Sequence, residues 1–391
     1  MVAIDRKTFL QRWGPTIVLV LLVALVFSPI IYKVIYTYHF DYDSHIYWAE
    51  QIFHPTDSDN VPLALWAHSN WHFLVILFSF ITFGSFPVAG SLATVFSIIL
   101  LSVVTFQLIR PVLLQKNISL WWGVAVALGM TLVAPIYLYV IKDKQFYFGY
   151  LGLTSYHNPT IILLKPLAIL VFIWGMRCFQ PAARNGRQVL IAAVFSILAT
   201  LTKPSFAICF IPALGLGVLW YLFRKKPLDW KMIIFGFILP TSLVLIWQFW
   251  LTYASNDPSS IELAPFGVMN IRSGWLDRKF LLSIGFPLLI MVLYWKDALK
   301  DTRLLLAWTT LFFGSFFTYF LAEQGPRFAH GNFVWSGEIA MLVLFSMSTL
   351  FFIEKARENR YKTILVGLVW GLHVLCGVGY YLHLYLTGIY V

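Results

Sequence analysis

Charge is what this sequence has least of. Only 12% of its 391 residues are Asp, Glu, Lys or Arg, about half the share of a soluble domain. Hydrophobic residues make up 60%, and the mean hydropathy is +0.78. That balance excludes a soluble enzyme. It predicts a chain that crosses a membrane many times, with room for roughly eleven to thirteen spans of about 20 apolar residues each. Acid is scarcer than base, 17 residues against 28, for a net charge of +11. In a soluble protein that excess would raise nucleic acid as a partner. Here no nucleic acid is called for, because Lys and Arg in short loops hold topology against anionic membrane lipid. Cysteine is nearly absent: Cys178, Cys209 and Cys376 all lie in or beside apolar runs, which excludes a disulfide framework and a metal–thiolate site. No low-complexity tract, internal repeat or globular extramembrane stretch is evident. Residues 1–391 therefore read as a single transmembrane domain, an all-α polytopic transmembrane helical bundle with short outer-surface helices and no soluble domain.

The scarce acid is concentrated. HFDYDSHIYWAEQIF, 39–53, follows the first apolar run and carries Asp41, Asp43, His45 and Glu50, and the loop 39–61 holds no Lys or Arg at all. Asp43 is expected to cap a short helix whose apolar face is Ile46, Ala49 and Phe53, at spacings of three and four. Such a helix lies along the membrane surface and presents two carboxylates and a histidine there. A carboxylate at a helix N-terminus stays ionised, and an ionised, oriented carboxylate removes a proton from an attacking hydroxyl.

Loop charges set the expected sidedness. Arg6, Lys7 and Arg12 put the N-terminus in the cytoplasm, before a span at about 15–36 that is too long for a signal peptide and lacks a small-residue cleavage site, so it reads as a retained anchor. The runs 188–223, broken at LTKPSF, and 231–254 read as spans, as do those flanking KDALKDTR and EKARENRYK. Loops 39–61, 142–158, 255–279 and 322–338 fall outside. Simple alternation does not close over 61–141, and the short run 72–83 is the candidate for a half-span, which is tolerated only where it lines a protein cavity.

Four outer pieces then carry side chains that need explaining, because ionisable groups at or within spans mark sites or pathways. These are Asp41, Asp43 and His45; His157 and Asn158; Lys203; and Glu323, Arg327, His330 and Asn332. Arg327 lies in EQGPRFAHGNF, where a guanidinium can hold a phosphate bidentately, or pair with Glu323. Lys203, beside Pro204, is either a snorkelling interfacial lysine or one aimed inward, and Lys165 is similar. His157-Asn158-Pro159 has the make-up of a helix start. His68 and His72, four apart, would share a helix face. With no carboxylate or cysteine completing a metal set, they read as a packed pair.

This arrangement, a first span, an acidic surface helix and many further spans, resembles the GT-C superfamily of integral-membrane glycosyltransferases. The resemblance rests on Asp43 followed by Tyr47 and Ala49, on the LTKPSF hairpin and on the HNPT helix start. It implies an inverting transfer of a sugar from a polyprenyl-phosphate donor to a lipid-linked or glycan acceptor on the extracytoplasmic face of a cell membrane. Asp43 would be the base and Asp41 the second acid. Arg327, Lys203 and His330 would hold the donor phosphate, and His45, His157, Asn158, Glu323 and Asn332 would contact substrate. The chain departs from larger members in lacking a C-terminal periplasmic domain. A divalent metal, Mg or Mn, has a place in such chemistry, but the sequence offers no clear ligand set. Two rivals stand beside it. A polymerase or ligase of lipid-linked oligosaccharides would not need Asp43. A transporter or flippase predicts paired charges in the bilayer and internal repeats, neither of which is evident in the sequence.

Overall fold

The computed structural model describes residues 6–55, 66–137, 149–152, 155–180, 186–253 and 260–389. Among them the chain is an all-α bundle with one two-stranded sheet. Helix α1, Arg6–Lys33, runs on through a π-helical turn to Tyr38. Then come α2 (Tyr42–Phe53), α3 (Asn70–Ser79), α4 (Phe86–Gln115), α5 (Leu120–Leu132), α6 (Pro159–Gly175), α7 (Gly186–Thr202), α8 (Ser205–Phe223) and α9 (Leu239–Tyr253), the last entered through a π-helical stretch, Met232–Ile238. Strand β1 (Ile261–Leu263) leads to α10 (Gly267–Arg272), α11 (Leu276–Ser283), α12 (Gly285–Leu293) and α13 (Thr302–Phe320). Strand β2 (Leu321–Glu323) pairs antiparallel with β1, a 3₁₀ turn spans Gly325–His330, and α14 (Val334–Lys355) and α15 (Arg360–Thr387) complete the chain.

Seven of the described helical stretches are long and apolar enough to cross a membrane, and α3, α5 and α7 are apolar but shorter. The protein is therefore a multi-pass membrane protein. Fewer full-length crossings emerge than the eleven to thirteen expected, because several apolar runs are interrupted. The run 72–83 is the clearest case: α3 has ten residues, a rise of about 15 Å, half the hydrocarbon thickness.

The core sits around α14. Nearly every residue from Trp335 to Phe351 is buried, the signature of a helix that is apolar all round and enclosed by others. It packs on α4, α6, α8, α12 and most extensively α13. Small residues allow the closest approaches: a Cβ at Gly314 of α13 would collide with the Ser336 carbonyl, and one at Gly377 of α15 with the Leu132 carbonyl. Buried hydroxyls are absorbed locally, as where Thr94, Ser97 and Thr310 each donate to the carbonyl four residues earlier.

A buried ion pair crosses this core. Lys165 of α6 and Glu338 of α14 form an ion pair at 3.0 Å, with side chains 5% and 2% exposed. Ser155 donates to the same carboxylate at 2.8 Å. At the opposite end of α14, Arg303 bridges Asp301 and Glu354 and ties α13 to α14.

Removing one member of the buried pair leaves the other charge stranded. Lys165→Met is expected to destabilise the protein by about 3–5 kcal/mol, and the double variant Lys165→Met/Glu338→Leu by far less. Denaturant unfolding of purified protein in detergent measures both. Equal losses in the single and double variants would show that the pair does not carry this interaction.

Candidate functional site

Helix α2 builds one wall of a cavity. Tyr42, Ile46 and Ala49 are its buried face, at the i, i+4, i+7 spacing that packs a helix onto its neighbours. Ile46 lies on Gly90 of α4, where a Cβ would press on it at 3.1 Å. His45 and Trp48 flank that face and line the cavity. The helix does not start as expected. Asp41, not Asp43, occupies the cap position, and no side-chain cap bond forms there. Asp43 lies in the first turn, exposed, with its carboxylate 3.1 Å from His39 Nδ1. The backbone of 39–41 turns before the helix, with His39 in the left-handed region at φ 65°, and this carries the helix start two residues upstream of Asp43.

Asp41 is held from across the bundle. Asn158 Nδ2 donates to Asp41 Oδ2 at 2.8 Å. The Asn158 Oδ1 accepts from Ile161 N and from the Thr160 hydroxyl, capping α6. The capping role expected of Asn158 and a role in fixing Asp41 are thus one arrangement. Thr160 Oγ1 in turn lies 3.4 Å from Lys203 Nζ. Lys203 sits in the turn between α7 and α8, its ammonium 5.0 Å from the centre of the Trp335 ring, a cation–π distance.

The cavity measures about 620 Å³, within the range of small-molecule sites. Its polar lining includes His45, His68, His72, Lys203, Gln248, Glu323, Arg327 and Asn332. Glu323 ends β2 and accepts a hydrogen bond from Asn332 Nδ2. The remaining lining is largely apolar, from Ile208 of α8 and Leu245, Ile246 and Phe249 of α9. Ile246 and Phe249 are 66% and 60% exposed, so this wall faces outward along the side of the bundle. A polar chamber therefore opens onto an apolar flank.

Of the residues singled out by sequence, His45, Lys203, Glu323, Arg327 and Asn332 come together around this space. Asp41 and Asn158 do not line the cavity; they connect to it through Thr160 and Lys203. His157 packs its ring on Trp335 at 5.1 Å without lining the cavity. His330 is exposed and Asp43 is turned toward His39; neither lines the cavity. Asp57 and Asp59, the remaining acids of the loop 39–61, lie outside the described residues. Sequence reading missed His68, His72, Trp48 and Gln248 as cavity residues. The helical spacing of His68 and His72 was the available signal, but α3 begins at Asn70, so the two do not share a helix face. Instead His72 Nε2 meets His45 Nδ1 at 2.9 Å, and the rings stack at 5.1 Å. Gln248 Nε2 donates to the carbonyls of Ala67 and Thr200 and lies 3.4 Å from His68 Nδ1.

The electrostatics divide this lining in two. Burial pushes His68 and His157 down to about 3, with Lys203 adding to the effect on both. Burial, then His72, lowers His45 well below the imidazole range. These rings are neutral at physiological pH, and the His45–His72 hydrogen bond itself requires one ring to accept. Burial pushes Lys203 down to about 8, against the pull of Asp41 and Glu338. Cationic charge in the cavity is thereby confined to Lys203 and Arg327. Among the described residues, no group of three or more His, Cys, Asp or Glu is placed to hold a metal ion.

Comparison with protein-family models, curated proteins and solved structures finds no match for this chain, so its chemistry is read from the cavity itself.

Lys203 faces Asp41, Glu338, His45, His68 and His157, of which the carboxylates favour its charged form. It is cationic below about 8 and loses its proton as pH rises through that value. Affinity of the cavity for an anionic amphiphile such as octyl phosphate is expected to fall up to about tenfold per pH unit above that point. Lys203→Arg, which stays charged, should flatten the decline. Calorimetric titration of both proteins across the range tests this, and a wild-type affinity that does not change would remove Lys203 from the anion site.

Proposed function

We propose that this protein is a membrane glycosyltransferase of the GT-C kind, moving a sugar from a polyprenyl-phosphate donor to an acceptor hydroxyl at the extracytoplasmic face. The observation that carries this is the amphipathic cavity: two cations, one carboxylate and a set of neutral hydrogen-bonding groups at a chamber whose wall of Leu245, Ile246 and Phe249 opens onto the side of the bundle. A lipid-linked phosphosugar has the matching form, with an apolar tail, one phosphate and a polar head. The tail lies against α9, and Lys203 and Arg327 hold the phosphate.

In this mechanism the acceptor oxygen attacks the anomeric carbon from the face opposite the phosphate. The carbon–oxygen bond to phosphate breaks, its electron pair leaves with the lipid phosphate, and the acceptor proton passes to a carboxylate. Asp41 suits that role better than Asp43. Its carboxylate is oriented by Asn158 and its charge acts on Lys203, whereas Asp43 is paired with His39; both are exposed. Charge stabilisation on the leaving phosphate by the two cations supplies much of the rate, and the bound geometry supplies more. Glu323 and Asn332 line the acceptor side in this arrangement. A cell membrane with the N-terminus in the cytoplasm is the location that the loop charges favour.

A second reading, as a transporter or flippase, draws support from the Lys165–Glu338 pair, since paired charges within the bilayer are what that class requires. Lys165 lies six residues into α6 and Glu338 four residues into α14, about 9 and 6 Å of rise. Glu338 is nearer the cavity end of α14 than its middle, whereas Lys165 lies two residues from the midpoint of α6.

Asp41→Asn is expected to lower transfer about 10²–10⁴-fold while leaving carrier binding intact, and Asp43→Asn to stay within a few-fold of wild type. Sugar release from a panel of polyprenyl-phosphate sugars, with carrier binding measured separately, decides between them. Normal turnover in Asp41→Asn with loss in Asp43→Asn would return the base to Asp43. If wild type releases no sugar but carries lipid-linked sugar across vesicles, the transporter reading replaces this one.

A further inference from the structure

Two buried polar atoms in the cavity wall have no partner among the described residues: His72 Nδ1 and Gln248 Oε1. Their residues are 1% and 3% exposed and both line the cavity. Each has its other polar atom committed. Gln248 Nε2 gives its hydrogens to the carbonyls of Ala67 and Thr200, which fixes the amide orientation and leaves Oε1 as an acceptor. His72 Nε2 is bonded to His45 Nδ1, so Nδ1 is the free position of that ring. A buried polar atom left unsatisfied is costly, and two in one cavity wall mark where a ligand completes the bonding.

We propose that His45, Trp48, His68, His72 and Gln248 form a subsite for an uncharged, hydroxyl-bearing sugar ring, read directly by His72 Nδ1 and Gln248 Oε1. This rests on the reading of the cavity as the donor site, and it specifies the donor head group. Gln248 Oε1 needs a hydrogen-bond donor, which excludes a carboxylate there. A hydroxyl both donates and accepts, so it satisfies Oε1 and also either tautomer of His72. The imidazoles around it are neutral, so they supply no counter-charge to a uronic acid or an amino sugar. The charged groups that could, Lys203 and Arg327, belong to the phosphate, and Glu323 is engaged by Asn332. Trp48 presents its ring edge-on to His45 and His72 at 5.1 and 6.1 Å, closing the subsite with an aromatic surface.

The test is calorimetric titration of the purified full-length protein with synthetic octyl phosphodiesters of several neutral hexoses and pentoses, of glucuronic acid and of glucosamine, beside octyl phosphate. At least one neutral sugar is expected to bind about tenfold tighter than octyl phosphate, the size of one or two hydrogen bonds. The charged sugars should show no such gain. Gln248 also ties three segments together, so its replacement risks misfolding, and His72 provides the finer probe. In His72→Gln the side-chain amide reaches the Nε2 position and keeps the contact with His45 but loses the Nδ1 position. In His72→Asn the amide reaches the Nδ1 position. The sugar-dependent gain should therefore fall to about threefold or less in His72→Gln and persist in His72→Asn, with octyl phosphate binding unchanged in both. Equal binding of octyl phosphate and every neutral sugar, equal binding of charged and neutral sugars, or the same effect from both variants would overturn the subsite. Transfer activity is scored separately. A His72-dependent preference without transfer removes the transferase reading and leaves the subsite, whereas transfer with a preference blind to His72 does the reverse.

Discussion

A lysine and a glutamate meet at 3.0 Å between α6 and α14 with almost no access to solvent, and the cavity end of the bundle is organised around that pair. Two charges in so apolar an environment are tolerated only in each other's company, because the penalty for stranding either one is large. The pair therefore ties α6 to α14 at one level of the bundle, in addition to their apolar packing. Each helix delivers its first turn to the site. From α6 come Asn158, which caps the helix and holds Asp41, and Thr160 beside Lys203. From α14 comes Trp335, under the Lys203 ammonium, directly after the turn bearing Arg327 and Asn332. A shift of one helix relative to the other would move Asn158 and Thr160, the partners of Asp41 and Lys203, away from Trp335.

The second constraint is charge economy. The cavity contains several groups able to become cations, but burial keeps its histidines neutral and brings Lys203 to about 8. Had the imidazoles been charged, the chamber would favour multiply charged anions and would repel Lys203 and Arg327 from it. With two cations, the Glu323 carboxylate held by Asn332 and an otherwise neutral lining, it suits a head group with a single negative charge followed by uncharged polar surface. The apolar flank on α9 adds the requirement for a tail. The lipid-linked phosphosugar proposed as donor meets all three requirements.

Much of this was legible in sequence, for identifiable reasons. Apolar runs bounded by basic clusters gave the helical bundle, and the hairpin broken at LTKPSF appears as α7 and α8 meeting at Lys203. The Asn158-Pro159 helix start follows from local chemistry and was readable as such. The first-loop acids and the loop 322–338 were recognised because charge is rare in this chain. What stayed hidden depends on partners distant in sequence. Glu338 marked only the end of a loop until α6 brought Lys165 against it. Gln248 sits in an unbroken apolar run, with no local pattern to mark it. His68 and His72 had a visible spacing, but which side of a wall they faced was set by where α3 began. The expectation that Asp43 caps α2 missed by two residues, at a helix start, the least predictable part of a helix.

The same buried pair bears on how the protein works. A carrier that alternates its access has to rearrange the contacts along its path in every cycle, and a pair lying there must separate and re-form. Lys165 and Glu338 are poorly suited to that. They are enclosed by the most buried helix in the described structure, and Ser155 adds a hydrogen bond to the carboxylate, so parting them exposes an uncompensated charge to an apolar interior. A transferase makes the opposite demand. Its ligands enter, react and leave while the groups that orient them stay fixed, because rate depends on geometry held ready before the substrate arrives. In the proposed transferase, the ion-paired α6 and α14 would be the fixed frame beside a ligand-sized opening.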